Sequence, residues 1–285
     1  MNAAGAAAMN ALDHVTVQTS RDVRSLKDVR WVMLDLHGGE QIPSLLRRVL
    51  RPSHQDALHA AIQQEKDTGT RPTIERLLAS VGGGLSLHVE VARLLVDINR
   101  RFLPSLAEPD RYALCNLDTW VNLQGAGGIA AVRWAEAYWS ALRGSEGMIR
   151  YLNRTLPRSV PFWDFHTYDV HNPDGTLRPT VQMFSSYGGR DWVSRGLCES
   201  VRSKLSRLPG RLKISADAIG IDDPYAMFEG CMLPELRHRT VFATEIRKDQ
   251  FGEDWRHGRA EPRRVARVAA QMAMVLSCLQ REALV

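Results

Sequence analysis

The chain has few of the features that mark metal-thiolate, membrane-spanning or secreted proteins. Its four cysteines are far apart and form no C-x-x-C pair, which argues against a zinc site built from thiolates. No apolar run approaches the roughly 18 residues that a membrane-spanning helix requires. The alanine-rich start, MNAAGAAAMNALDHV, lacks the positive charge and longer apolar stretch of a secretory signal. Because isolated thiols suit a reducing compartment, we expect a cytoplasmic protein that does not act at a membrane.

The chain also lacks a continuous basic segment, although its formal charge is +5 at pH 7. Acidic residues interrupt the basic ones, as in RRVLRPSHQD and RHGRAEPRRVAR, and no basic stretch contains interleaved aromatic residues. We therefore expect no nucleic-acid partner. A few arginines are instead expected to bind a small anionic substrate. The sequence gives no indication of the oligomeric state.

Length and composition are those of an ordinary soluble globular protein. With 285 residues, 44% of them hydrophobic and 24% charged, the chain fits one large α/β domain or two small ones. It contains no internal repeat and no long linker rich in proline, glycine or serine. We predict a flexible N-terminal leader over residues 1–28 and a single domain over residues 29–285.

Short apolar runs alternate with longer helical patterns along the chain. The runs predict strands or strand-like segments at residues 31–37, 94–99, 160–166 and 240–246. Apolar residues at helical spacing predict helices at residues 72–81, 129–156, 193–208 and 263–284, with a break at Gly144 in the second. This alternation predicts a three-layer α/β fold, in which helices cover both faces of a mostly parallel or mixed central sheet.

A polar residue stands at or just past the end of each strand-like run. These residues are His37, Asn99, His166 and Glu245. In open α/β sheets, ligands bind outside the carboxyl ends of the strands. We therefore expect the four side chains to meet at one edge of the sheet and to form one site there.

The stretch LDLHGGEQIP contains the motif H-x-x-E, formed by His37 and Glu40. The two glycines between them allow the backbone to turn tightly enough for both side chains to reach one ion. Zinc accepts histidine nitrogen and glutamate oxygen as ligands, and catalytic zinc sites use three protein ligands plus water. His166, at the end of VPFWDFH, is the best candidate for the third ligand. The sequence thus predicts one divalent metal ion, and zinc is the first choice.

Two further residues at strand ends suit hydrolytic chemistry. Glu245 ends the apolar run TVFATE, where burial would raise its pKa and make it an effective general base. The structural alternative is an ion pair with Arg247 or Lys248. Arg100 follows Asn99 and can hold a substrate carboxylate with two hydrogen bonds, unless it forms a surface ion pair instead.

Taken in order, these motifs resemble the zinc carboxypeptidase superfamily, which includes the aspartoacylases. They are more similar to N-formylglutamate amidohydrolases. The similar stretches run from about residue 31 to residue 255 and are LDLHGGEQIP, DTGTRPTIERLL, ARLLVDINR, EAYWSAL, FWDFHTYD, IDDPYAMFEG and FATEIRKDQF. The chain departs from the family at several positions. Trp139 stands where the family usually has histidine, Thr167 replaces a serine, and Arg247 and Lys248 replace asparagine and arginine.

The resemblance implies a phosphorylase/hydrolase-like α/β fold, a single divalent metal, usually zinc, and hydrolysis of a small N-acyl amino acid. We therefore expect an amidohydrolase whose zinc, held by His37, Glu40 and His166, activates water. The first substrate to consider is an N-formyl acidic amino acid, which would make the protein a deformylase. Arg190 in SSYGGRDW is expected to help Asn99 and Arg100 bind the substrate carboxylate, and Tyr225 in DDPY to close over the site.

Two alternatives stay open. One is a carboxypeptidase or an N-acyl-aspartate type hydrolase on the same scaffold. The other is a relative that binds a ligand without turning it over. Metal analysis separates the second from an enzyme. One zinc per chain that a chelator removes together with activity would support an enzyme, whereas absence of metal would favour the ligand-binding relative.

Overall fold

The computed structural model describes residues 13–100, 102, 113–114, 117–187, 190–222, 234–236 and 239–282. The described strands are β1 (Val15–Thr19), β2 (Trp31–Asp35), β3 (Gly84–Val89), β4 (Phe162–Tyr168), β5 (Val181–Phe184), β6 (Ser186–Tyr187), β7 (Arg190–Asp191), β8 (Ile219–Ile221) and β9 (Val241–Arg247). The described α-helices are α1 (Ser44–Arg47), α2 (Gln55–Glu65), α3 (Thr70–Ser80), α4 (Leu117–Trp120), α5 (Gly125–Arg143), α6 (Met148–Thr155), α7 (Arg195–Ser206) and α8 (Pro262–Glu282).

A seven-stranded mixed sheet forms the centre of the fold. Its strand order is β1-β3-β2-β4-β9-β5-β8, and β6 pairs with β7 in a separate ribbon. The four strands β3, β2, β4 and β9 are parallel, whereas β1 is antiparallel to β3 and β5 is antiparallel to β9. The parallel strands direct their carboxyl ends to the same edge of the sheet, and this edge carries the candidate site.

Helices cover both faces of the sheet because the central strands are apolar on both sides. Along β2, Val32 and Leu34 pack with residues of α1, α2, α5 and α6, while Trp31 and Met33 pack with residues of α3, α7 and α8. Strand side chains alternate between faces, so a strand buried on both sides reads as a continuous apolar run. We call the side of Val32 and Leu34 face A and the other side face B.

The predicted α/β fold class is confirmed, and so are the strands at 31–37, 160–166 and 240–246, which correspond to β2, β4 and β9. The four predicted helices also form, and the second is divided into α5 and α6 after Arg143. None of the described helices is long and apolar enough to cross a membrane.

Two expectations about the chain need correction. The strand-like segment 94–99 is not a strand, because its backbone amides bond locally, for example from Leu95 and Val96 to the carbonyl of Ala92. The strand in this part of the chain is β3, which ends before this segment, at Val89. Residues 15–19 of the predicted flexible leader form β1, since their amide and carbonyl groups complete the exposed edge of β3.

Candidate metal centre

The turn after β2 places His37 at the carboxyl edge of the sheet. Neither Gly38 nor Gly39 has a positive φ, so the turn requires them for space rather than for backbone conformation. A Cβ atom on Gly38 would lie 2.5 Å from both carboxylate oxygens of Asp35, and one on Gly39 would lie 2.4 Å from the backbone of Glu90. The two glycines therefore let the chain pass tightly over the ends of β2 and β3.

A buried hydrogen-bond chain supports this turn from below. Asp35 Oδ1 accepts a bond from the Gly38 amide at 2.9 Å, and Asp35 Oδ2 lies 3.0 Å from His88 Nδ1. The other ring nitrogen of His88 bonds to the Ser86 hydroxyl at 2.9 Å. All three side chains are completely buried, so they cannot meet a substrate. Their arrangement, although it resembles a hydrolase triad, fixes the backbone that carries His37.

Three buried side chains converge beside this turn, namely His37, Asp67 and His166. One potential ligand atom from each lies within 4.8 Å of the other two. Asp67 Oδ2 is 2.8 Å from His166 Nδ1 and 3.7 Å from His37 Nδ1. Ligand atoms about 2.0–2.2 Å from a tetrahedral zinc ion lie about 3.3–3.6 Å apart, so these separations require only small adjustments.

A second carboxylate orients each histidine. His37 Nε2 lies 2.7 Å from Asp97 Oδ1, and His166 Nε2 lies 2.8 Å from Asp164 Oδ1. In both rings the Nε2 side is occupied and Nδ1 is the atom directed toward Asp67. A carboxylate behind a histidine fixes its tautomer and ring orientation for metal binding. The two pairs therefore have the arrangement expected of oriented metal ligands.

The electrostatics of this cluster favour a cation. Within the described residues, Asp67 Oδ1, Asp164 Oδ2 and Asn99 Oδ1 are buried acceptors without a hydrogen-bond partner. Buried unpaired oxygens are costly, and a metal ion is one way to satisfy them. Two imidazoles with one carboxylate also form a ligand set that catalytic zinc uses. The donor chemistry thus fits a single divalent metal.

The pKa values of the two histidines shift in opposite directions. Burial lowers the pKa of His37, and the positive charge of Arg93 adds to this effect. Burial alone would also lower the pKa of His166, but the carboxylates of Asp164 and Asp67 outweigh it and raise that pKa well above its usual value. In the metal-free chain, a proton on His166 therefore balances the carboxylates, and a metal ion at Nδ1 would take its place.

Glu245 lies beside this cluster, on the neighbouring strand. It is the register partner of His166, and both residues are on face A. Burial raises the pKa of its carboxyl group, and the negative charge of Asp67 contributes to the shift. The cations considered as structural partners are bound elsewhere, because Arg247 pairs with Asp249 and Lys248 pairs with Asp169. Glu245 is therefore available for proton transfer.

Two side chains of α5 form hydrogen bonds with the loop that carries Asn99 and Arg100. Arg143, which is almost completely buried, donates to the carbonyl oxygens of Ile98 and Arg100 at 2.9 and 3.1 Å. Trp139 Nε1 donates to the Arg100 carbonyl at 2.9 Å. Trp139 thus holds this loop. Asn99 Nδ2 lies 3.3 Å from His166 Nε2, so this predicted residue does reach the cluster, from a loop rather than from a strand end.

Arg93 is a second arginine at the site. Its Nη2 atom lies 3.4 Å from Asp97 Oδ2, and its side chain is 25% exposed. Although burial lowers the pKa of Arg93, the negative charges of Asp97, Asp67, Glu65 and Glu245 raise it overall. The charge of Arg93 therefore acts on both the three-residue cluster and Glu245, and its side chain is partly accessible to solvent.

Glu40, the second residue of H-x-x-E, is not a member of the three-residue cluster that the described residues form. Its carboxylate forms an ion pair with Lys66 and accepts a bond from Gln63 at 2.8 Å. Its side chain is 48% exposed. The structure therefore brings together His37, His166, Asn99 and Glu245, and it adds Asp67 in the place where Glu40 was expected.

Arg190 and Tyr225 are not described at the site. Only the backbone of Arg190 is described, as part of β7, and Tyr225 lies outside the described residues. Their expected contacts with substrate remain predictions.

Sequence reasoning missed Asp67, Asp97, Asp164 and Arg93 as site residues. All four had a usable signal, because Asp97 and Arg93 lie in ARLLVDINR, Asp67 opens DTGTRPTIERLL and Asp164 lies in FWDFHTYD, and all three stretches are family-like. Asp164 stands two residues before His166, on the same face of a strand, which is the spacing that brings two side chains together.

Solved structures share this fold, whereas the sequence matches no protein-family model and no curated protein. One is the crystal structure of an N-formylglutamate amidohydrolase from Ralstonia eutropha, with a TM-score of 0.59 and 17% identity over 94% of this chain and 96% of that one. Another is a gene product of Agrobacterium tumefaciens, with a TM-score of 0.55 and 16% identity over 93% and 95% of the chains. The shared architecture confirms the fold that the sequence resemblance implied.

Proposed function

We propose that this protein is a zinc-dependent amidohydrolase that cleaves the amide bond of a small N-acyl acidic amino acid. The observation that carries the proposal is the convergence of His37 Nδ1, His166 Nδ1 and Asp67 Oδ2 beside the partly buried carboxylate of Glu245. A set of metal ligands next to a carboxylate of raised pKa is the arrangement that metal-assisted hydrolysis requires. The shared fold with an N-formylglutamate amidohydrolase supports formyl as the first acyl group to test.

His37, Asp67 and His166 are the residues that would hold the metal, with Asp97 and Asp164 keeping both rings in place. A divalent metal bound there would polarise the carbonyl group of the substrate and make a water molecule more acidic. The closed turn at Gly38 and Gly39 limits movement of His37. The chain thus provides a rigid ligand set before any metal arrives, which lowers the cost of binding it.

Glu245 is the residue that would move the proton. As a partly buried carboxylate with a raised pKa, it can accept a proton from the attacking water and return it to the nitrogen of the departing amine. Its place beside His166 supports this role, because both groups then face the same small volume. Substrate hydrolysis yields a carboxylic acid and a free amine.

The positive charge for the substrate carboxylate would come from Arg93 and Arg100. Arg93 has one distant carboxylate contact, and its side chain is partly open to solvent. Arg100 influences the pKa of Asp97, so its charge also lies near the cluster. A planar guanidinium group binds a carboxylate with two parallel hydrogen bonds, which favours acidic amino acids over neutral ones.

The proposal is tested with purified protein and a panel of small amides. The panel contains N-formylglutamate, N-formylaspartate, N-acetylaspartate and a short peptide with a free C-terminal carboxylate, and the released amine is measured. We expect about one zinc per chain, activity that a chelator removes and zinc restores, and preference for an N-acyl acidic amino acid. His37→Ala should abolish both metal and activity, whereas His59→Ala, on the exposed side of α2, should change neither.

Other outcomes assign other functions. Cleavage of the peptide alone would make the protein a carboxypeptidase. Zinc binding without amine release from any amide of the panel would favour a relative that binds a ligand without turnover. Full activity in the metal-free protein would contradict the proposal.

A further inference from the structure

The positive charge of the protein is concentrated in two segments. Residues 195–213 contain six lysines or arginines and one glutamate, so their formal charge is +5, equal to that of the whole chain. Residues 259–267 contain four arginines and one glutamate, for a charge of +3. The rest of the chain together therefore carries −3. In sequence the basic residues look scattered, but most of the excess belongs to these two segments.

The fold brings the two segments together on face B. Helix α7 packs against α8, and the 3-10 helix Gly210–Leu212 packs against the same helix. Between this 3-10 helix and the first turns of α8 lies an open cavity of about 670 Å³. Its lining consists of four arginines and two apolar residues, namely Arg211, Leu212, Arg263, Arg264, Ala266 and Arg267.

The hydrogen-bonding capacity of these arginines is largely unused. Arg211 and Arg263 are exposed and form no hydrogen bond or ion pair with other described residues. Arg267 donates to Gln250 through Nη2, but its buried Nε has no hydrogen-bond partner in the described part of the chain. Arg264 is the exception, because it is paired with Glu261 at 3.0 Å. The cavity therefore presents several guanidinium donors without acceptors.

This arrangement is electrostatically unfavourable without a counter-charge. Three of the arginines lie in the first two turns of α8, where the helix dipole disfavours positive charge. Burial lowers the pKa of Arg267, and the charge of Arg264 lowers it further, which shows that the guanidinium groups repel one another. The negative charges of Asp249 and Glu261 raise the pKa of Arg267 but offset only part of this shift. An anion in the cavity would remove this repulsion.

We propose that this cavity is a binding site for a compact phosphate-bearing anion, in particular a diphosphate group, either free or as part of a nucleotide. Guanidinium groups bind phosphate oxygens with paired hydrogen bonds, and four of them around one cavity can enclose several oxygens. The volume lies in the range of small-molecule sites. Because the arginines surround a cavity and no aromatic residue is among its lining residues, a small anion fits better than a nucleic-acid strand.

The proposal is independent of amide hydrolysis, and it is tested by calorimetry on the full-length protein. The probes are inorganic phosphate, pyrophosphate, ADP and a short DNA duplex, all at one fixed ionic strength. We expect one pyrophosphate or ADP per chain, bound more tightly than phosphate. Equal affinity for pyrophosphate and ADP would identify the diphosphate group as the recognised part, whereas tighter ADP binding would identify a nucleotide site.

Three double variants test whether the cavity is the site that binds pyrophosphate. Arg211→Ala with Arg263→Ala should weaken pyrophosphate binding about tenfold or more, because charge-assisted hydrogen bonds are lost. The control, Arg21→Ala with Arg24→Ala, removes the same charge from exposed positions after β1 that do not line the cavity, and should leave binding unchanged. The affinity of Arg211→Lys with Arg263→Lys for pyrophosphate should lie between the affinities of these two variants. All variants should unfold at the temperature of the native protein, since the replaced side chains are exposed.

Three results would overturn the proposal. The first is the absence of pyrophosphate and ADP binding at millimolar concentration. The second is equal loss of affinity in both double alanine variants, which would reduce the effect to overall charge. The third is a DNA duplex that binds more tightly than both small anions and is displaced by neither of them.

Discussion

His166 on β4 and Glu245 on β9 are register partners in adjacent parallel strands, so their side chains leave the same face of the sheet at the same level. His166 approaches Asp67, whereas Glu245 forms no close ion pair with another described residue, although the charges of His166, Arg178 and Arg93 act on its carboxyl group. A residue suited to bind metal and a residue suited to transfer a proton are thus fixed side by side. Their relative position depends on the rigid ladder between the strands and not on a mobile loop.

Replacement of Glu245 should separate metal binding from catalysis. Glu245→Gln is nearly isosteric, so β9 should remain intact and zinc should stay bound. Turnover should fall about 10²–10⁴-fold, because general acid–base assistance is lost. The measurement is kcat together with zinc content, with substrate affinity determined by calorimetry. Loss of zinc would instead make Glu245 a ligand, and unchanged turnover would give it a structural role.

Asp67 and Glu40 are rival ligands, and their variants should behave differently. Asp67→Asn should strip the metal, because Asp67 lies between both histidines. Glu40→Gln should retain the metal, since the Glu40 carboxylate is bound by Lys66 and Gln63. Zinc content after dialysis against a weak chelator is the measurement. The opposite pattern would restore H-x-x-E as the ligand pair.

Burial raises the pKa of Glu245 above that of an ordinary glutamate, about 4.3. As the pH falls, Glu245 should therefore take up its proton earlier than exposed glutamates do, and it should lose its function as a base first. Carbon-13 titration of side-chain carboxyl groups in the metal-free protein can measure this pKa, and Glu245→Gln identifies the signal. A titration midpoint at or below the ordinary value would show that burial is not the dominant effect.

Gly39→Ala should damage the turn that carries His37. The added Cβ would meet the backbone of Glu90, which cannot rotate away, so we expect a loss of about 1–3 kcal/mol in the free energy of unfolding. Weaker zinc binding should accompany it. Gly196→Ala is the matched control, because the Cβ there finds only an ordinary contact at 3.8 Å in an exposed helical turn. Chemical denaturation compares the two, and equal stability would show that the turn has room to adjust.

Substitution of Arg93 or Arg100 by lysine tests carboxylate recognition. Lysine keeps the charge but loses the planar fork, so kcat/KM for an acidic substrate should fall by about 2–4 kcal/mol in transition-state free energy if the bound carboxylate is buried. Arg48→Lys, an exposed position just after α1, serves as the control. If the native enzyme cleaves the amidated substrate as well as the free acid, neither arginine recognises a carboxylate.

The basic cavity shows how tertiary structure changes the meaning of composition. In sequence, its arginines occur in two segments that are about fifty residues apart, and acidic residues near them make each look like a solvated surface. Only the packing of α7 and the Gly210–Leu212 turn against α8 gathers them around one volume.

The sequence by itself determined the central strands and three residues of the site. The strands β2, β4 and β9 are buried and need apolar side chains on both faces. A histidine or glutamate near the end of such an apolar run is therefore easy to recognise in the sequence. This local contrast identified His37, His166 and Glu245.

Only the tertiary structure decided which carboxylates join them. Asp67 comes from the start of α3 and Asp97 from a loop, and their approach to the histidines depends on strand order, register and helix packing. Those relationships join residues that are distant in sequence, so they produce no local pattern from which the sequence could predict them. Glu40 shows the converse, because its spacing to His37 is visible in the sequence, whereas its ion pair with Lys66 exists only in the folded chain.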